Sequence, residues 1–178
     1  QQTLIEMGAN IAINNITEQE HGVQSCDIEA VYSKDLIGME KGVSRIATTN
    51  LMNTSRGPLF ISDSSINIDP DAKDLARIAQ MTAHTVKMFG MEPVIGMVSY
   101  ANFGSSKNPH ARKVRDAVSI LHEHCPEITV DGEVQVDFAL NKNMHQSKFP
   151  FSKLAGRKVN TLVFPNLDSA NGTYKLIK

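Results

Sequence analysis

The 178-residue sequence contains no tryptophan and only two cysteines, Cys26 and Cys125. Two thiols without metal-ligand spacing exclude a disulfide framework, and a reducing cytoplasm is the expected compartment. An excess of charge of either sign is also missing. Eighteen Lys and Arg against 19 Asp and Glu leave a formal charge of −1. No basic field therefore points to nucleic acid or to an anionic membrane. No apolar run nears the ~20 residues of a membrane span. The opening Gln1-Gln2-Thr3-Leu4-Ile5-Glu6 lacks the basic start and apolar core of a signal peptide. None of His21, His84, His110, His122, His124 and His145 shows H-E-x-x-H spacing, so surface or capping roles are expected for them. Repeats, low-complexity tracts and charge blocks are absent. The chain starts without Met and stops inside an apparent helix, which leads us to expect part of a longer protein.

The length suits one domain, which can bury roughly 70% of its unfolded surface. Residues 1–43 give no clear element. Asn10, Asn14 and Asn15 interrupt any helical stripe, Glu18, Glu20, His21, Gln24 and Asp27 read as a polar connection, and residues 31–37 read as a short helix ending at Gly38. The legible domain is 44–178. A weak strand is expected over 45–51, then a turn cluster over 54–58 and a buried strand at Leu59-Phe60-Ile61, followed by Ser62-Asp63-Ser64-Ser65. Asp69 as N-cap with Pro70 at the first helical position predicts a helix. Its apolar face is Leu75, Ile78, Ala79, Thr82, Val86 and Phe89, and Gly90 closes it. Residues 94–98 predict a strand, Asn108-Pro109 caps a second helix ended by Pro126, and residues 128–130 predict another strand. Thr161, Leu162, Val163 and Phe164 form a short apolar run, the pattern of a strand buried on both faces. After Pro165 we expect a polar turn with Asn166, Asp168, Ser169, Asn171 and Gly172, and a helix opening near Tyr174. Strand, polar loop and helix recur in that order. This predicts βαβ units and a three-layer α/β/α fold around a mostly parallel sheet.

Parallel strands present their C-terminal ends on one side, where ligands bind in open α/β sheets. Ser99, Asn102 and Ser105 are therefore expected on one wall of a cleft. Asn166, Asn171, Tyr174 and Lys175 are expected on the other, with Asp131 and Gln135 nearby. Small donors and one lysine suit a phosphate or a thioester carbonyl. Residues 99–106 also fit an ordinary loop held by local Ser and Asn bonds. They are not a P-loop, because Gly104 and Lys107 miss that spacing. Asp131, Glu133, Gln135 and Asp137 alternate with Val134, Val136 and Phe138. An extended backbone would put three carboxylates and an amide on one face, either as a Mg²⁺-type oxygen site or as solvated or cap-satisfying acids. We assign no metal there. Cys125, beside Pro126, reads as a small buried hydrophobe.

Six segments carry a resemblance to a known family: Gly57-Pro-Leu-Phe-Ile-Ser-Asp, Asn67-Ile-Asp-Pro, Met97-Val-Ser-Tyr-Ala-Asn-Phe-Gly-Ser-Ser, Ala111-Arg-Lys-Val-Arg-Asp-Ala-Val, Asp131-Gly-Glu-Val-Gln-Val-Asp, and Leu162-Val-Phe-Pro-Asn-Leu-Asp-Ser-Ala-Asn with Tyr174-Lys-Leu. In order and spacing they resemble the phosphate acetyltransferase/butyryltransferase family. They look most like the phosphotransacetylase-like C-terminal region of bacterial NADP-dependent malic enzymes. The resemblance implies an isocitrate/isopropylmalate-dehydrogenase-like fold, here a partial chain, in two subdomains around a cleft, usually dimerising. It implies a cleft for acyl phosphate and coenzyme A in the transferases. In the malic enzymes it implies a region that senses acetyl-CoA, while NADP and a divalent metal (Mg or Mn) act in another domain of the same chain. This sequence departs from the transferase pattern. It has no Arg-Pro dipeptide, and Ser55-Arg56-Gly57 sits before a strand, the wrong place for the family's later Ser-Arg pair. The resemblance therefore leaves three readings: an acetyl-CoA-binding regulatory and oligomerisation region, a catalytic phosphate acyltransferase seen in part, or a structural dimerisation domain. No catalytic residue is assigned, and the region by itself is expected to bind no cofactor and to be inactive in acyl transfer.

Overall fold

The computed structural model describes residues 46–178 and, before them, the strands β1 (Ile11–Glu18) and β2 (Gln24–Ala30). The short helix expected over 31–37 lies outside the described residues. Gln24 and Asp27, read from sequence as connection, lie in β2. The later strands are β3 (Thr49–Thr54), β4 (Gly57–Ser62), β5 (Val94–Val98), β6 (Thr129–Val134) and β7 (Thr161–Val163). Among the described residues the helices are α1 (Ala72–Met88), α2 (Pro109–His124), α3 (Val136–Leu140), α4 (Lys142–Lys148) and α5 (Leu167–Ile177).

The sheet order is β1-β2-β3-β4-β7-β5-β6. β4, β7, β5 and β6 pair in parallel, and β3, β2 and β1 extend the sheet by antiparallel pairing. Five of the seven strands (β2, β4, β5, β6 and β7) thus share one direction. β7 sits between β4 and β5, with Leu162 opposite both Ile61 and Gly96. All three of its residues are buried, as an apolar central parallel strand requires.

The two sheet faces carry separate cores, so the expected three layers are present. On one face Leu75, Ile78 and Val86 of α1 and Val114, Val118 and Leu121 of α2 are buried; most of them pack with Ile95, Met97, Val130 and Val163. On the other, Ile61, Val94, Val98 and Leu162 pack with Ala139, Leu154, Val159, Ala170 and Tyr174. Gly96 lets that second layer approach. A Cβ there would stand 3.3 Å from the Ala139 Cβ. Each fully buried Leu, Ile or Val contributes roughly 1.5–3 kcal/mol, so these two layers hold the sheet flanks in place.

Several boundaries differ from expectation. α1 is capped by Asp71, whose carboxylate accepts the Asp74 N–H at 2.8 Å. Asp69 is thereby freed, and it pairs with Lys113 instead. β3 starts at Thr49 rather than 45, and only Ser55 and Arg56 form its turn to β4. The helix after β7 begins at Leu167, well before Tyr174. Asn166 caps it by accepting the Ser169 N–H at 3.0 Å, so Asp168, Ser169, Asn171 and Gly172 are helical rather than a turn. A glycine inside a helix costs about 1 kcal/mol, and burial of Ala170 and Tyr174 offsets it. The asparagine cap at Asn108 and the strand at Val94–Val98 stand where the sequence put them.

Candidate functional site

Because β4, β7, β5 and β6 are neighbours and parallel, their C-terminal ends line one edge of the sheet. The segments that leave it are 63–68 after β4, 164–166 after β7, 99–108 after β5 and Gln135 after β6. Three links tie the β4 and β7 exits together and to the helices. The Asn171 amide donates to the Ser64 carbonyl at 3.0 Å, the Leu167 N–H donates to the Ile68 carbonyl at 3.0 Å, and Lys113 of α2 donates to the Pro165 carbonyl at 2.9 Å. Lys113 also bonds Asp69 at 2.6 Å, which holds that exposed carboxyl below its usual range.

The loop after β5 is closed by its own donors and by β6. The Ser99 N–H reaches the Val134 carbonyl, the Ala101 N–H the Ser99 hydroxyl and the Asn102 N–H the Ser105 hydroxyl. The Phe103 N–H donates to the Glu133 carbonyl and the Gly104 N–H to Glu133 Oε1, both at 2.8 Å. Asn102 and Gln135 bond reciprocally: the Asn102 amide donates to Gln135 Oε1, and the Gln135 N–H donates to Asn102 Oδ1. Gln135 Nε2 then donates to the Tyr100 carbonyl. The amides expected to cradle an anion are thus largely used within the loop. It forms a rigid wall rather than an open nest.

Behind that wall lies a buried ion pair. Arg115 of α2 donates from Nε and Nη2 to both oxygens of Glu133, and from Nη2 to the Ser106 carbonyl at 2.9 Å. The Glu133 side chain is 0% exposed. Desolvation pushes its carboxyl up, but the Arg115 and Gly104 bonds prevail and hold it below the usual range. The Arg115 guanidinium is correspondingly pushed up by its bond to Glu133.

The expected four-residue polar face along 131–137 does not form. The β5–β6 register shifts between the Met97–Gly132 and Val98–Val134 partners, which places Glu133 in an irregularity. Asp131 accepts from the Gly132 and Lys153 N–H groups, while Glu133 turns to Arg115. Gln135 stands at the N-terminal boundary of α3 without a side-chain capping bond, and Asp137 lies within the helix, exposed. No group of three or more possible metal ligands occurs among the described residues.

Of the residues singled out from sequence, Ser99, Asn102, Ser105 and Gln135 come together on one wall. Asn166 and Asn171 belong to the second, at the start of α5. Tyr174 is buried in the core beneath it, and Lys175 is exposed with its ammonium 5.3 Å from the Tyr174 ring centroid. Asp131 stands inside β6, bonded toward the 152–159 segment. Cys125 is half-buried at the end of α2, where it accepts from Gln80 Nε2. Sequence reasoning missed Arg115, Lys113 and the burial of His145, and it named Glu133 without its partner. Arg115 and Lys113 lay in the quoted Ala111 segment, but nothing local marks their partners. His145, expected at the surface, is 1% exposed.

Residues 28–178 match the family model described as phosphate acetyl/butaryl transferase. The chain belongs to that family. It is similar to two kinds of protein. It is 38% identical over 145 residues to the NADP-dependent malic enzyme of Escherichia coli, covering 82% of this chain and 19% of that protein. It is 39% identical over 141 residues to the phosphate acetyltransferase of Bacillus subtilis, covering 79% of this chain and 43% of that one. Among solved structures, the EutD phosphotransacetylase from Staphylococcus aureus superimposes with a TM-score of 0.74 at 32% identity, over 80% of this chain and 44% of that one. This chain of the transferase family therefore spans about a fifth of the malic enzymes and under half of the transacetylases it matches.

Proposed function

We propose that this chain is the acetyl-CoA-binding regulatory and oligomerisation region of an NADP-dependent malic enzyme, whose parent reaction is the oxidative decarboxylation of malate to pyruvate. One observation carries the reading. Arg115, on the helix that follows the β5 loop, is spent on a buried carboxylate and a backbone carbonyl. Acyl transfer to or from phosphate needs cationic groups free to take up charge as it develops. The residues left at the edge are amides, hydroxyls and the exposed Lys107 of the loop after β5, which suit the binding of an anionic ligand. The likeness to malic enzymes, and the Ser99-Tyr-Ala-Asn-Phe-Gly-Ser-Ser106 segment, favour the same reading.

In this reading Ser99, Asn102 and Ser105 form one side of the acetyl-CoA or acyl-phosphate cleft, and Asn166, Asn171 and Lys175 the other. NADP and a divalent metal serve the malic-enzyme domain of the same chain, and the region pairs as a homodimer or higher homo-oligomer in the cytoplasm. A second reading, a phosphate acetyltransferase that moves an acyl group between phosphate and coenzyme A, is favoured by the likeness to the Bacillus subtilis enzyme.

The full-length protein decides between them. Malate-dependent NADPH formation that responds to acetyl-CoA, with no acetyl-CoA made from acetyl phosphate and coenzyme A, is the expected result. Efficient transfer without malate oxidation would establish the second reading and sink the first.

A further inference from the structure

A second cluster stands directly behind the wall after β5. Phe103, from the middle of that loop, packs its ring against Phe149, Phe151 and His145, with centroids 4.8, 5.1 and 5.9 Å away. Phe138 and His145 pack on Phe149 at 5.2 and 5.7 Å. His145 is 1% exposed, and neither ring nitrogen has a hydrogen-bond partner. A buried polar group left unpaired costs about 1–3 kcal/mol, which a phenylalanine or leucine in its place would avoid. Phe103 is held with φ at +41°, a left-handed value that side chains rarely adopt. The left-handed residue of the loop is thus the one whose ring packs against the histidine.

We propose that His145 is a proton-controlled latch on the ligand-edge loop: as a neutral ring it seats Phe103 and holds residues 99–106 in place, and as a charged ring it releases them. A charged imidazolium needs polar partners for both N–H groups, which the phenylalanine rings do not offer. The Phe138 carbonyl of α3 and, less strongly, the Asp131 carboxylate of β6 favour the charged form, although neither meets hydrogen-bond geometry with the ring as it is seated. The remaining titratable groups of the elements around it are solvent-exposed or paired, Lys153 and Arg157 of the 149–157 segment among the exposed ones. Asp137 on α3 and Lys142 and Lys148 on α4 are exposed, Tyr100 of the loop is exposed, and Glu133 is committed to Arg115. Once charged, the ring leaves its apolar seat against Phe103, and the hydrogen bonds of 99–106 lose their backing. Burial pushes the imidazole below its usual 6.5, and Asp131 and the Phe138 carbonyl only partly offset this. The latch therefore opens in the acid range beneath that value.

The latch rests on the reading of this edge as a ligand site, and one experiment separates the two. Hydrogen exchange of the 99–106 amides in the full-length protein, corrected for intrinsic pH dependence, is compared at about pH 7.5 and about pH 5, for wild type and His145→Phe. Histidine ring resonances are followed over the same range. We expect faster loop exchange at acid pH in wild type alone, a His145 resonance that titrates below the ordinary value, and acetyl-CoA affinity that falls about fivefold or more on acidification only when His145 is present. Equal loop protection at both pH values in wild type, the same acid step in His145→Phe, or a His145 resonance that titrates at or above its ordinary value overturns the latch. If His145→Phe does not fold, Phe103→Leu supplies the comparison, and the wild-type resonance still decides. A loop that opens with acid in a protein that never binds acetyl-CoA supports the latch and refutes the ligand reading.

Discussion

Arg115 holds both carboxylate oxygens of Glu133, at 2.9 and 3.0 Å, across the boundary between α2 and the irregular end of β6. Glu133 also takes the Gly104 N–H, and Arg115 takes the Ser106 carbonyl. One ion pair therefore fixes both ends of the 104–106 turn. It ties a helix, a strand and the wall of the candidate site into one piece.

Arg115→Ala should strand a buried charge. Breaking such a pair from one side costs about 3–5 kcal/mol, and the lower end applies because Arg115 is itself 36% exposed. The pH dependence should invert. In wild type the Glu133 carboxyl lies below its usual 4.5, so its contribution is present above that value and is lost as pH falls through the lowered one. Without Arg115, only backbone bonds such as that from the Gly104 N–H oppose burial, the carboxyl is pushed up, and stability should fall as pH rises. Urea denaturation at several pH values checks both signs. Parallel slopes in the two proteins would disprove the role assigned to the pair.

Gly132→Ala should be strongly destabilising. Gly132 has φ at +149°, and a Cβ there would stand 2.5 Å from the Met97 carbonyl oxygen of the neighbouring strand. Backbone cannot yield as a side-chain end can, so a loss of roughly 3 kcal/mol or more is expected. Thermal melting of the variant measures it, and a midpoint within a degree or two of wild type would contradict the close approach.

Asp63 offers a pH test of opposite sign to Glu133. Desolvation raises its carboxyl above the usual 3.8, although bonds from Asn67 oppose the shift. Oδ1 has no partner. A raised acid favours the folded state fully at low pH and loses that contribution as pH rises through the raised value. Asp63→Asn keeps an acceptor for Asn67 without the charge. It should be more stable than wild type at neutral pH, with the gain shrinking toward pH 3. Melting curves at pH 3 to 7 would reveal a constant difference if burial of the charge is unimportant.

For the ligand, Asn171→Ala and Lys175→Ala should each weaken acetyl-CoA binding by the full-length protein roughly ten- to hundredfold, the value of one desolvated hydrogen bond to a charged group. Lys175 is exposed, so its removal should leave melting unchanged. Asn171 also holds the Ser64 carbonyl, so its variant should lose about 1 kcal/mol of stability as well. Calorimetric titration is the measurement. Wild-type affinity in both variants would move the site away from α5.

What the sequence by itself determined was whatever depends on a few adjacent residues. The apolar run at 161–163 has one comfortable place, a central parallel strand, and Asn108-Pro109 starts a helix wherever it lies. Parallel strands with polar exits share one edge of the sheet, and Ser99, Asn102, Ser105 and Gln135 lie together along it. Local rules misled where two caps competed. Asp69 and Asp71 both suit a helix start, and only the reach of Lys113 to Asp69 separates them. Asn171 and Gly172 look like a turn until the Asn166 cap and the buried Tyr174 make them helical. Tertiary structure alone decided which charges are buried and what they meet. Alternation along 131–137 puts every acid on one face, but the shifted β6 register sends Asp131 toward Lys153 and Glu133 toward Arg115. His145 looks like any surface histidine until Phe103 and Phe149, distant in the chain or one turn on, enclose it. Burial and pairing are set by contacts between remote segments, and no spacing within a single segment encodes them.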